Sequence, residues 1–169
     1  MKQSRHQARM VALQGLYELD MQRDLAAETI PAMLRPLLAE AGLEGESAEF
    51  ARRLVVGAWT AHDRYDQMIT TASDHWDVGR MAVVDRNILR LGLYELIEQP
   101  DVPARVVIDE AIELGRTFGA AETPQFINGV LDAIWKRDPV CQTARAAREA
   151  LAHPAAPTPA GTEGRDGTV

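Results

Sequence analysis

Apolar residues recur along this chain at three- and four-residue intervals, the spacing of helices that bury one face. From about Ser4, the residues Ala8, Val11, Ala12, Leu16 and Leu19 share one side of a first helix. A weaker segment runs from about Ala26 to Ala41, where Pro31 suits a first turn and Pro36 predicts a bend. Ser47 reads as the cap of a third helix carrying Phe50, Leu54, Gly57, Ala58, Ala61, Tyr65 and Met68 in one stripe. A connector from Ser73 to Gly79 contains Trp76. The clearest helix spans about Arg80 to Glu98, with Met81, Val84, Ile88, Leu89, Gly92, Leu93 and Leu96 on a broad apolar stripe. Pro100 and Pro103 punctuate its end, and Val107, Ile108, Ala111, Gly115 and Phe118 make the next stripe before Gly119. Thr123-Pro124 opens a last core helix through Ile127, Val130, Leu131 and Ile134. No alternating run is bounded by hairpin turn pairs, so the reading is all-α.

Past Arg137 the pattern weakens. Residues 138–152 are rich in alanine and arginine and suit an extra helix. Residues 153–169 are mostly Pro, Ala, Gly and Thr, a composition that cannot bury enough to order itself, so a disordered tail is expected there. The domain reading is therefore a core over 1–137, an extra helix over 138–152 and a tail.

Composition adds limits. The chain has 169 residues, 46% of them hydrophobic but only 5% aromatic, so its core must be aliphatic and alanine-rich. No stretch approaches the ~18 apolar residues of a spanning helix, and no apolar run follows the N-terminal charges, so a cytoplasmic protein without a membrane partner is expected. Cys141 is the single cysteine, which excludes an intramolecular disulfide. Charge is uneven. Residues 1–10 carry +3 from Lys2, Arg5 and Arg9, beside titratable His6, while the whole chain is at −7, so the remainder carries −10. A basic arm on an acidic body can hold phosphate locally, although plain solvation of three cations is the commoner case.

Catalytic chemistry finds no foothold. His6, His62, His75 and His153 are scattered without metal-ligand spacing, and no glycine-rich phosphate loop or nucleophile elbow occurs. Asp109, Glu110 and Glu113 form the densest carboxylate group, with Arg116 one turn on; intrahelical pairing explains them better than acid–base work. No cofactor or metal is implied, and the chain reads as a non-enzyme.

Three segments carry a resemblance. The first is Arg5-His6-Gln7-Ala8-Arg9 leading into Ala12-Leu13-Gln14-Gly15-Leu16-Tyr17. The second is Val83-Val84-Asp85-Arg86-Asn87-Ile88-Leu89-Arg90-Leu91-Gly92-Leu93-Tyr94-Glu95-Leu96. The third joins Asp101-Val102-Pro103, Ile108-Asp109-Glu110-Ala111-Ile112-Glu113-Leu114, Phe118-Gly119 and Phe126-Ile127-Asn128-Gly129-Val130-Leu131-Asp132. Together they resemble the NusB family of transcription antitermination factors. The resemblance weakens through residues 24–79 and stops near Arg137. It implies two packed three-helix subdomains, about six to seven helices in all. It also implies binding of boxA-type single-stranded RNA together with the small-subunit ribosomal protein that acts as NusE, within the transcription elongation complex. Support of rRNA transcription and maturation follows from the same likeness.

The resemblance assigns Lys2, Arg5, His6 and Arg9 to an RNA-binding arm, although His6 and Gln7 stand where many members carry arginine. That dilution predicts dependence on the partner for tight RNA binding. Phe126, flanked by Glu122 and Gln125, matches a family position that contacts RNA, and Glu122 matches an acid that tempers binding. Spacing alone places Phe126 in the core. Tyr17 and Asp85 match the NusE-facing surface. Internal roles fit both equally: a half-buried ring for Tyr17, and for Asp85 a pair with Arg86, Arg90 or Tyr17. Asn128-Gly129 reads as structural, with close packing at Gly129. Two alternatives stay open: a protein-only scaffold or homodimer, and an accessory RNA-recognition unit for an rRNA methyltransferase.

Overall fold

The computed structural model describes residues 2–23, 25–74 and 76–153, with the side chains of Lys2 and Gln3 excepted. The tail expected from 153 onward thus lies outside the described residues, apart from His153. Among the described residues there are eight α-helices and no strand. They are α1 (Lys2–Gln22), α2 (Ile30–Glu40), α3 (Gly45–Thr60), α4 (His62–Ala72), α5 (Val83–Glu98), α6 (Ala104–Phe118), α7 (Thr123–Arg137) and α8 (Pro139–Ala152). Two short 3-10 turns, Ala27–Thr29 and Val78–Arg80, precede α2 and α5.

Two three-helix units pack together. α1, α2 and α3 form the first, α5, α6 and α7 the second, and α5 is the joint because it also packs on α1 and α3. Arg86 through Leu93, Glu95 and Leu96 of α5 are all buried, as a helix enclosed on every side requires. α4 packs on α5 and α7, and α8 covers α7 and α5. These two helices take the count above the expected six to seven.

The third predicted helix is broken. Its apolar stripe runs unbroken from Phe50 to Met68, but Ala61 leaves helical geometry (φ −102°, ψ 14°) and starts a new axis. His62 secures the corner: its Nδ1 lies 2.5 Å from the Trp59 carbonyl, and the two rings stack with centroids 4.6 Å apart. The break lets α3 lie along α1 while α4 turns onto α5. Ser47 does not cap α3, which begins at Gly45; its hydroxyl donates to the Glu44 carbonyl instead. α5 starts at Val83, three residues later than predicted, because Val78–Arg80 closes as a 3-10 turn with Asp77 accepting from the Gly79 N–H.

Gly57 and Gly119 are needed for close approach. A Cβ on Gly57 would sit 2.0 Å from the Tyr94 ring, and one on Gly119 would sit 2.5 Å from Thr123 Cβ. Gly129 is different from expectation: it is exposed and a Cβ there would meet nothing within 4 Å, so no close packing explains it.

Candidate nucleic-acid and partner interface

The N-terminal turns of α1 lie against α3, α5 and α6, and this sorts the arm residues. Arg5 stays partly open, with its guanidinium 5.2 Å from the Phe50 ring centroid and loose ion pairs to Glu46 (3.7 Å) and Asp101 (3.9 Å). His6 Nδ1 lies 2.6 Å from Glu110 Oε2 on α6. Arg9 points inward and is 3% exposed. Its Nε and one terminal nitrogen donate to Glu95 at 2.8 and 2.7 Å, and its guanidinium lies 5.3 Å from the Phe50 ring centroid. Burial alone would lower the Arg9 pKa, but the hydrogen-bonded carboxylate of Glu95 outweighs it and the pKa is raised. This guanidinium is committed to the interior. The side chain of Lys2 lies outside the described residues.

At the other end of α5, α7 begins beside Asp85. The Thr123 hydroxyl accepts from the Ala120 N–H (3.0 Å) and donates to Asp85 Oδ1 (2.9 Å). Asp85 thus finds a hydroxyl partner on α7. The basic neighbours weighed for it go elsewhere: Arg86 donates to Asp20 at 2.6 and 2.9 Å, and Arg90 bridges Asp20 (3.0 Å) and Asp66 (2.7 Å). Asn87 adds a fourth donor to Asp20 at 2.8 Å. Burial pushes the Asp20 carboxyl up, yet the hydrogen bonds from Arg86 and Asn87 and the charge of Arg90 hold it below the usual carboxylate range.

The Asp85–Thr123 bond sets Asp85 against the α7 start, where Glu122 and Gln125 are exposed and Phe126 is half-buried against the core. All four line one open cavity of about 630 Å³. Tyr17, 42% exposed, lines a separate apolar groove of about 210 Å³ with Leu13, Leu37, Val84 and Phe118. Val84 adjoins Asp85 in sequence, so the two grooves flank the same end of α5. The arm lies at the far end: Asp85 and Glu95 are ten residues apart, ~15 Å of helix rise. The structure therefore joins Asp85 to Glu122, Gln125 and Phe126, leaves Tyr17 in a separate groove at the same end of α5, and places Arg5 and His6 further along.

Sequence reasoning missed the Asp20 network and, among the further residues of the 630 Å³ cavity, Trp76 and Arg80. Asp20 follows Leu19 at the edge of the α1 apolar stripe, the one signal that pointed inward. Asp109 and Glu113 behave as expected, pairing with Arg105 and Arg116 on their own helix. Glu110 instead reaches across to His6.

A model of the NusB family matches residues 6–136. The chain belongs to the NusB family. The Symbiobacterium thermophilum transcription antitermination protein NusB is 44% identical over 135 residues, covering 78% of this chain and 88% of that protein. Its Myxococcus xanthus counterpart is 40% identical over 131 residues, covering 78% and 94%. Among solved structures, T. maritima NusB superimposes with a TM-score of 0.72 at 34% identity, covering 79% of this chain and 91% of that one. A crystal structure described as the antitermination factors NusB and NusE in complex with dsRNA gives 0.69 at 28% identity, covering 80% and 98%. NusB is a family of RNA-binding transcription antitermination factors. Among the described residues no helix is long and apolar enough to cross a membrane.

Proposed function

We propose that this chain is a cytoplasmic transcription antitermination factor. It binds boxA-type single-stranded RNA jointly with the small-subunit ribosomal protein acting as NusE, and so supports rRNA transcription and maturation. The role requires no catalytic step of its own. The observation that carries the reading is the match, at 40–44% identity over most of the chain, to NusB antitermination proteins. The solved relative described as NusB and NusE in complex with dsRNA supports NusE and RNA as the partners.

The geometry accounts for joint binding. Asp85, on the partner-facing side, shares a cavity with Glu122, Gln125 and Phe126, on the RNA-facing side, and Tyr17 lines a second groove at the same end of α5. A ribosomal protein docked there would lie in contact with the RNA. Lys2, Arg5 and His6 supply a thin cationic arm for phosphate, and Arg9 braces that arm from within. The acidic remainder of the chain complements a basic ribosomal partner.

The test is boxA RNA affinity measured with and without the ribosomal protein. A sharp rise with the partner is expected. Equal affinities would reject joint recognition, and self-association without RNA binding would favour a protein-only scaffold.

A further inference from the structure

Trp76 takes no part in the core. The residue is 59% exposed, on the short segment between Asp74, whose φ is 54°, and the Val78–Arg80 turn. Large aromatics are highly buried on average, so an indole left open asks for an occupant. It lines the same 630 Å³ cavity as Phe126. Arg80 stands on the same rim with its side chain 82% exposed, and its contact to Asp77 is 4.0 Å, too long and too wet to hold it. Gln125, Glu122, Asp85 and Thr123 supply the rest of the polar wall, beside Met81 and Ala82.

Two aromatic faces, a hydrogen-bonding edge and one free-standing cation match the parts of a nucleotide. Aromatic rings stack on any base, an amide and carboxylates meet a base edge, and a guanidinium pairs with phosphate. The two carboxylates decide how the ligand sits. They repel phosphate from the part of the cavity they line, and a free carboxylate accepts hydrogen bonds from base N–H groups. Asp85 already accepts from Thr123 through Oδ1 and lies on the partner-facing side, so Glu122 is the carboxylate left for a base.

We propose that Trp76 and Arg80 complete a nucleotide slot opposite Phe126. Trp76 stacks on one unpaired RNA base, Glu122 accepts from its amino or imino hydrogens, and Arg80 pairs with the adjacent phosphate. The slot rests on the RNA-binding reading above and extends it to residues outside the arm and the α7 start.

The experiment is fluorescence anisotropy with a short fluorescein-labelled single-stranded boxA-type RNA and saturating ribosomal partner. Trp76→Ala should weaken RNA binding roughly tenfold, and Trp76→Phe should restore most of it. Arg80→Ala should make the slope of log affinity on log salt shallower by roughly 0.7. A scan of single abasic sites should find one position at which wild type and Trp76→Ala bind equally. Unchanged binding by Trp76→Ala, with Phe126→Ala impaired, would overturn the slot and leave the RNA reading standing. So would an abasic scan in which no position cancels the effect. Loss of ribosomal-protein binding by Trp76→Ala in the absence of RNA would make the cavity a protein-docking surface. No RNA binding by the wild type, even with partner, would remove the RNA reading and the slot together.

Discussion

Arg5 and Arg9 lie one helical turn apart, carry the same side chain, and do different things. Arg5 makes long, exposed ion pairs worth little to stability. Arg9 and Glu95 are a buried bidentate pair, and removing one member strands the other charge out of water. Arg9→Ala should therefore cost about 3–5 kcal/mol of unfolding free energy. Arg5→Ala should stay within about 0.5 kcal/mol of wild type. Denaturant melts followed by circular dichroism separate the two, and equal small losses would show that Arg9 is not locked inside. Reduced RNA binding by an Arg9 variant is thus no proof of phosphate contact. The sequence marks both arginines as members of a basic arm. Only the arrival of α5, 86 residues away in sequence, decides which one turns inward.

At the scale of elements, α8 shows how an unpromising helix becomes part of the structure. It buries only Cys141 and Ala144. Burial pushes the Cys141 thiol up to about 11, as expected for a thiol away from solvent. The larger contribution comes from Arg148, which donates to the carbonyls of Glu95 (2.9 Å), Leu96, Gln99 (3.0 Å) and Val102 (3.1 Å). These are acceptors left over at the end of α5 and in the loop after it. The same guanidinium and that of Arg145 lie 5.1 and 5.4 Å from the Trp135 ring. Arg148→Ala should cost about 1.5–3 kcal/mol, the range for hydrogen bonds to a charged group. The Trp135 emission should shift red as α8 loosens. A melting curve indistinguishable from wild type would mean that α8 only rests on the surface. The α3–α4 corner is another decision at this scale. Apolar spacing continues through Ala61, so no local signal marks the break, and the direction of α4 is set by what it packs against.

Across the whole molecule, charge is handled by pairing inside and segregation outside. The Asp20–Arg86–Arg90–Asp66 network ties α1, α4 and α5 together with its donors and acceptors matched. Asp20 has a folded pKa below its unfolded value. Its contribution to stability is full above the unfolded pKa of about 3.9 and is lost as pH falls through the lower folded value. Thermal melts should therefore drop steeply below about pH 4. Asp20→Asn should be less stable at neutral pH and show a flatter acid slope. An unaltered acid slope in that variant would assign the loss to other carboxylates.

The sequence by itself determined the helical class, most helix positions and the family, because apolar spacing and the long contiguous motifs around α5 to α7 are local properties. Ile127, Val130, Leu131 and Ile134 lie on the buried face as their spacing predicts. Pairing across helices was beyond it. That Asp85 meets Thr123, Glu110 meets His6 and Asp20 gathers two arginines depends on how helix axes cross. So does the meeting of Trp76 and Arg80 with Phe126 at one cavity. A side chain's polarity is written in the chain, but its partner is chosen by geometry. The reason is physical: a buried charge must find a counter-charge within a few ångströms, and only the packed helices decide which one is there.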